Sequence, residues 1–294
     1  MTAPREVLEV VAAGPLALVE DLGRPGWAAV GVGASGAFDR GAHALAQRLV
    51  GGDEHAAGVE LLGGGFAVRA LAPCVVAVTG AEGPLVRERY GAVSEEARRG
   101  PMQLDVGDVL RVGAPVRGLR SYLAVRGGLR HGQVLGSASF DTLAGLGPAP
   151  LRPGDVLRAG AAGTAYPVVD HAPVRRDQGP LALLAGPRAD WFADGTLEAL
   201  CRAQWTVSVD SDRVGLRLDG PALARREPGR ELPSEPLVRG ALQVPPDGRP
   251  VVMGPDHPTS GGYPVVAVVA DNSWDRLAQA RPGDRLSFAL AHAL

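Results

Sequence analysis

Residues 240–264 read GALQVPPDGRPVVMGPDHPTSGGYP and bring a carboxylate, an imidazole, two hydroxyls and a phenol close together in the chain. Asp256, His257, Thr259, Ser260 and Tyr263 stand among Pro255, Pro258, Gly261 and Gly262. They follow an apolar run at 241–244 that carries Gln243, a Pro-Pro-Asp-Gly turn at 245–248 and a return through 251–253. The pattern predicts a hairpin feeding a stiff loop, a way for a rigid scaffold to present polar groups. A surface turn whose side chains satisfy its own backbone is the alternative. His257 suits proton transfer, because the intrinsic pKa of an imidazole lies near neutrality.

Arginines beside carboxylates or phenols form a second set: Arg24 with Asp21, Arg213 with Asp210 and Asp212, and Arg120 beside Tyr122. A guanidinium reads carboxylates and phosphates through paired N–H groups, so such a set could orient a small oxyanionic or amide substrate. The competing reading is a structural ion pair.

Other chemistries are excluded or unsupported. All 30 Lys and Arg residues are arginine, so this chain can form no Schiff base and has neither a phosphate-loop lysine nor a biotinyl-lysine. The six histidines show no HxH or HExxH pairing and the two cysteines no Cys-x-x-Cys, so no metal site is expected. Ser35 and Ser137 lie outside any GxSxG elbow. Gly31, Gly33 and Gly36 have GxGxxG spacing, but Arg24, Pro25 and Gly26 leave only residues 27–30 for the strand that a dinucleotide fingerprint needs. The stretch is read as a turn-shaping glycine loop.

The elements that must hold these residues are mostly short strands. Runs at 7–11, 16–19, 59–62, 66–71, 74–80, 102–113 and 120–128 alternate at period two between Gly/Pro turns, predicting a mainly β sandwich or barrel. Helices are expected at 41–50, 93–99, 188–202 and 272–279. A Gly-Asp turn followed by a strand recurs in LDVGDVLRVG (104–113), LRPGDVLRAG (151–160) and ARPGDRLSFA (280–289), and is read as structural. The proline-rich, aperiodic segment 166–180 is the expected linker between units at 1–165 and 181–294.

At 294 residues two domains are the natural expectation. A net charge of −2 gives no electrostatic reason to bind nucleic acid or an acidic membrane, and no apolar run approaches the ~18–20 residues of a membrane span. The N-terminus carries Glu6 and Glu9 rather than a basic-then-apolar leader, so a cytoplasmic chain is expected, with Cys74 and Cys201 as separate thiols.

Taken in order, EDLGRPGW (20–27), GVGASGAFD (31–39), LAQRLVG (45–51), VELLGGG (59–65), RSYLAVRGG (120–128), VLGSASFDTLAGLG (134–147), SDRVGLRLDGP (211–221), GALQVPPDGRPVV (240–252) and DHPTSGGYPVVAVV (256–269) resemble the allophanate hydrolase subunit 2 family. That family is also known as KipA, as the C-type component of the prokaryotic 5-oxoprolinase, and as a biotin-dependent carboxyltransferase family. The resemblance implies two cyclophilin-like β-barrel units. It implies a KipI-like partner (allophanate hydrolase subunit 1, the B-type component) and a LamB/YcsF-type partner, the A-type component. The implied activity is ATP-dependent hydrolysis of 5-oxo-L-proline to L-glutamate, with ATP shared among the components. Carboxyl transfer in a urea carboxylase-type system is one alternative, with biotin carried on another polypeptide. A regulatory partner of a KipI-type kinase inhibitor is the other.

On that resemblance, the residues expected at the chemistry are Asp256, His257, Thr259 and Tyr263, with Asp39, Arg120, Tyr122, Arg213 and Gln243 binding substrate or ATP. His257 would act as general base or acid, with Gln243 and Tyr263 as orienting donors. Three departures stand out. Ala138 and Phe140 replace an Arg and a Thr usual in the family, Ser260 replaces a second Thr, and Pro236 replaces a Gly. Loss of a guanidinium at 138 would remove a potential anion contact.

Overall fold

Alternating runs cut by glycine and proline turns make the chain mainly β, and the computed structural model describes residues 3–163, 171–173 and 179–291. The segment 166–180 expected as a linker lies for the most part outside the described residues. Two compact units form. Unit 1 takes the chain up to Arg24, Asp39–Phe140 and the part from Gly145, whereas Pro25–Phe38, Asp141–Ala144 and the C-terminal part make unit 2. Unit 2 therefore incorporates two short excursions from the N-terminal half.

Unit 1 contains β1 (Arg5–Ala13), β2 (Leu16–Glu20), β3 (Gly58–Leu62), β4 (Phe66–Ala70), β5 (Cys74–Glu82) and β6 (Leu85–Arg89). It continues with β7 (Ala92–Glu95), β8 (Pro101–Leu104), β9 (Val109–Val112), β10 (Arg117–Val125) and β11 (Val156–Ala159). One sheet has the order β11-β1-β4-β9-β6-β7 and the other β2-β3-β10-β5-β8. Bridges from Leu129 to Ala57 and to Ala159 link their ends into a nearly closed barrel. Val19, Val59, Leu61, Val76, Val78, Leu123 and Val125 point into the core. The alternate residues of the same strands, Glu60, Thr79, Arg120 and Tyr122, lie on the opposite face.

Helix α1 (Arg40–Leu49) covers that polar face. Asp39 starts it, its carboxylate accepting from the Ala42 amide at 2.7 Å, and Gly51 at φ +66° follows its end. Thr79 Oγ1 donates to the Ala42 carbonyl at 2.6 Å, and the His43 ring meets the Tyr122 ring edge-on.

Unit 2 is built on an eight-stranded sheet. Its strands are β12 (Leu181–Ala185), β13 (Trp205–Val207), β14 (Gly215–Asp219), β16 (Ala241–Gln243), β17 (Val251–Met253), β19 (Val265–Val269), β20 (Arg285–Leu286) and β21 (Phe288–Leu290). A two-stranded ribbon pairs β15 (Glu235–Pro236) with β18 (Ser260–Gly261). Helices α2 (Thr196–Arg202) and α3 (Asp271–Ala278) complete the unit. Phe38, from the first excursion, is fully buried here: its ring stacks on Trp274 at 5.1 Å and its carbonyl accepts from Trp274 Nε1 at 2.6 Å.

The three Gly-Asp turns share one geometry. Asp108, Asp155 and Asp284 each accept from the amide three residues earlier at 2.9, 2.7 and 2.9 Å, and each preceding glycine has a φ near +90°. Their structural reading holds. The helix expected at 93–99 does not form: Ala92–Glu95 is β7, hairpinned to β6 through Tyr90 and Gly91, both at positive φ. That pair makes a two-residue turn of the hairpin type, which an exposed four-residue strand gives no periodicity to reveal. The helix expected at 188–202 is divided, with a 3-10 turn at Ala189–Trp191 separated from α2 by Gly195 at φ +77°.

Candidate functional site

In unit 2 the predicted hairpin forms, β16 pairing with β17, and delivers the loop 254–262. Asp256 at its start is completely buried. Its carboxylate accepts from Arg213 Nε at 2.8 Å and Arg213 Nη2 at 3.1 Å. It also accepts from Ser35 Oγ at 2.6 Å, and from the amide and Oγ1 of Thr142 at 3.0 and 2.7 Å. Five donors occupy the lone pairs of this carboxylate. Burial alone would push the Asp256 carboxyl up, but the Arg213 guanidinium and the hydrogen bonds from Arg213, Ser35 and Thr142 outweigh it and hold the group below its ordinary value. Asp256 is thus placed as a fixed anion rather than a proton carrier.

His257 follows directly. Its Nδ1 lies 2.7 Å from the Pro258 carbonyl. A carbonyl only accepts, so Nδ1 carries the proton and Nε2 keeps its lone pair. Burial lowers its pKa from the ordinary value, with the Pro258 carbonyl and Asp256 acting in the opposite sense. A neutral imidazole with an available Nε2 is the state that a general base needs. Asp141 approaches the same loop: a Cβ added at Gly33 would lie 3.3 Å from the His257 carbonyl and 3.5 Å from Asp141 Oδ2. Asp141 Oδ1 accepts from the amides of Leu143 and Ala144, both at 2.9 Å.

The remaining residues expected in this unit surround the loop without joining the cluster. Gln243 is buried, and its Nε2 donates to the Tyr263 carbonyl at 3.0 Å. Tyr263 is 45% exposed, with Arg225 5.9 Å from its ring centroid. Thr259 accepts on its carbonyl from the Leu237 amide at 2.9 Å. Ser260 sits in the ribbon with Pro236, so two of the family departures face each other across one short β pair. Glu235, in the same ribbon, makes a forked ion pair with Arg188.

Asp39, Arg120 and Tyr122 belong to unit 1. The Tyr122 hydroxyl, buried beneath α1, donates to Glu60 Oε2 at 2.9 Å and accepts from the Asp39 amide at 2.7 Å. Arg120 stands 3.5 Å from Glu60 Oε1 and is 5% exposed. Burial pushes the Tyr122 phenol well above its ordinary pKa, so it stays protonated as a donor. These groups bond one another, and Asp39 also caps α1. Tyr122→Phe is expected to cost about 1–3 kcal/mol of stability by removing both hydrogen bonds, read as a lowered urea midpoint with an unchanged m-value.

The expected partners of two arginines are corrected. Arg213 bonds Asp256 rather than Asp210 or Asp212, whereas Asp212 accepts from the amides of Val214 and Gly215 to shape its own turn. Arg24, 2% exposed, donates to the carbonyls of Ser139 and Val134. Asp21 instead takes Ser137 Oγ at 2.6 Å, Ser139 Oγ at 2.7 Å and the Ala138 amide at 2.7 Å. The Ala138 side chain packs into the apolar core of unit 1, so on this backbone a guanidinium at 138 would have to leave that core.

Ser35, Thr142 and Asp141 escape sequence reasoning. A lone hydroxyl in a Gly-rich loop carries no local pattern. Ser35 shows its constraint only in three dimensions, as a buried non-glycine residue at φ +54°.

Comparison with known proteins adds four observations. The family model described as "Carboxyltransferase domain, subdomain A and B" matches residues 30–290. The chain is 33% identical over 285 residues to the C component of 5-oxoprolinase from Escherichia coli (strain K12), spanning 96% of this chain and 90% of that protein. Among solved structures, TTHA0988 superposes with a TM-score of 0.84 at 36% identity, covering 97% of this chain and 55% of that one. The Kluyveromyces lactis urea carboxylase gives a TM-score of 0.89 at 26% identity, covering 99% of this chain and 28% of that one. The chain therefore spans about half of TTHA0988 and little more than a quarter of the carboxylase.

Proposed function

The chain belongs to the family of carboxyltransferase domains, subdomains A and B, and on that premise we propose that it is the C-type component of an ATP-dependent 5-oxoprolinase, hydrolysing 5-oxo-L-proline to L-glutamate. One observation carries the choice: the match to the E. coli protein runs over 96% of this chain and 90% of that one, whereas the urea carboxylase is covered only to 28%. In this reading the chain works with a KipI-like B-type component and a LamB/YcsF-type A-type component. That TTHA0988 extends well beyond the matched fold is consistent with a companion part.

Within the site, His257 accepts a proton through Nε2 from the water that attacks the lactam carbonyl, and returns it to the departing ring nitrogen. Asp256 holds the loop in place. The arginines of these clusters do not fit a phosphate clamp. Arg213 is committed to Asp256 and the Gly36 carbonyl, Arg24 to backbone carbonyls, and Arg120 lies buried against Glu60. ATP is accordingly assigned to the partner polypeptides, and no step is routed through it here.

A second reading, carboxyl transfer to a urea-like substrate, is favoured by the close superposition on the urea carboxylase. Without a lysine this chain would need a biotin carrier on another polypeptide. Purifying the chain with its neighbour-encoded candidate partners and measuring glutamate release from 5-oxoproline and ATP tests the first reading. Release is expected only when every component is present, and none from this chain alone.

A further inference from the structure

We propose that Asp256 is a positioning residue, whose carboxylate ties the 254–262 loop to both excursions captured by unit 2 and so fixes where His257 presents Nε2. The tie is visible bond by bond. Ser35 lies in the Pro25–Phe38 excursion and Thr142 in the Asp141–Ala144 excursion, and both donate to the one buried carboxylate. Arg213 donates to it through two nitrogens and reaches the first excursion as well, its Nη2 bonding the Gly36 carbonyl at 2.8 Å. Backbone bonds lock the same junction: the Asp256 amide donates to the Arg213 carbonyl at 3.1 Å and the Gly254 amide to the Val214 carbonyl at 2.8 Å. A Cβ at Gly254 would run into the Arg213 carbonyl, so the backbone approach itself requires glycine.

Three stretches distant in sequence thus converge on one fully buried side chain of a fourth. Ser35 adopts a left-handed conformation that side chains disfavour, and its hydroxyl bond to Asp256 offsets that cost. The excursions contribute few apolar anchors of their own. Phe38 is seated against Trp274, but residues 25–31 are exposed throughout and the 3-10 turn Ala28–Val30 buries none of its residues. Polar bonds at Ser35, Gly36 and Thr142 therefore supply much of what holds these segments. His257 is covalently next to the junction, and its carbonyl packs on Gly33 of the first excursion, so release of the excursions would free the imidazole.

The proposed use of His257 in turnover rests on the functional reading above; the positioning does not, and the test uses no substrate. In the full chain, hydrogen–deuterium exchange and the imidazole nitrogen resonances of His257 are compared among wild type, Asp256→Asn, Thr142→Val and Thr142→Ser. Asp256→Asn turns one acceptor oxygen into a donor facing existing donors. It is expected to raise exchange about tenfold or more in 32–38, 142–146 and 257–262, leave the β3–β10 region of unit 1 unchanged, and shift the His257 resonances. Thr142→Val should move the same signals in the same direction, and Thr142→Ser, which keeps the hydroxyl, should restore them. Should Asp256→Asn fail to fold, the two Thr142 variants decide. Unchanged exchange in the excursions, or unchanged His257 resonances once the excursions have loosened, would overturn the proposal. A wild-type complex that releases no glutamate would count against the functional reading and leave these results standing.

Discussion

His257→Gln is expected to lower glutamate release by the assembled enzyme by a factor of about 10²–10⁴, the usual contribution of a positioned acid–base group. Glutamine retains hydrogen-bonding capacity near the Pro258 carbonyl but cannot take up a proton at neutral pH, so the loss should fall on kcat rather than on KM. The pH profile carries a sign. Burial lowers the His257 pKa below the ordinary 6.5, which extends the range over which Nε2 is unprotonated. The wild-type rate should be level through neutrality and fall on the acid side only below that value, and the fall should vanish in the residual activity of His257→Gln. An undiminished variant would remove His257 from the mechanism.

Arg213→Met is expected to be strongly destabilising to unit 2. It strips two donors from a carboxylate that is completely buried and leaves the charge uncompensated, a change worth about 3–5 kcal/mol. The pH dependence separates this cause from a packing defect. In the wild type the Asp256 carboxyl is held below its ordinary 3.8, so its contribution to stability is fully present above the unfolded value and is lost as pH falls through the folded value. In Arg213→Met the dominant remaining influence is burial, which raises the pKa. The variant can then bind a proton on folding, and its deficit relative to wild type should shrink as pH falls from about 7 toward about 4.5. A deficit independent of pH in urea titrations would attribute the loss to shape instead of charge.

These two residues also show where sequence reading reaches and where it stops. The hairpin, helix α1 and the three Gly-Asp turns were legible because each is set by neighbours in the chain: an N-capping aspartate, a glycine at positive φ, an aspartate bonding its own turn. The pair of Arg213 with Asp256 was not, since 43 positions separate the partners while Asp210 and Asp212 lie closer in sequence. Nearness in sequence favoured the wrong carboxylates, and Asp212 instead shapes a turn of its own. Ser35 and Thr142 were less legible still: each is one hydroxyl in a glycine-rich loop, joined to Asp256 across more than a hundred residues. A single linker at 166–180 could not show that Pro25–Phe38 and Asp141–Ala144 fold with the C-terminal unit, because that membership is decided by tertiary bonds. The strand Ala92–Glu95 was lost to a helix because all four of its residues are exposed, and an exposed strand has no buried face to alternate.

The substitutions at 138, 236 and 260 now have locations. Ala138 faces the core of unit 1, whereas Pro236 and Ser260 share the ribbon beside the His257 loop.

The most direct measurement sets two substrate systems against the same purified assembly of this chain with its partner polypeptides. One reaction contains 5-oxoproline and ATP; the other contains urea, bicarbonate, ATP and a biotinylated carrier with its carboxylase. Stoichiometric glutamate and ADP are expected in the first, dependent on this chain and on His257, and no carboxylated urea in the second. Carboxyl transfer to urea without glutamate release from 5-oxoproline would contradict the proposed function.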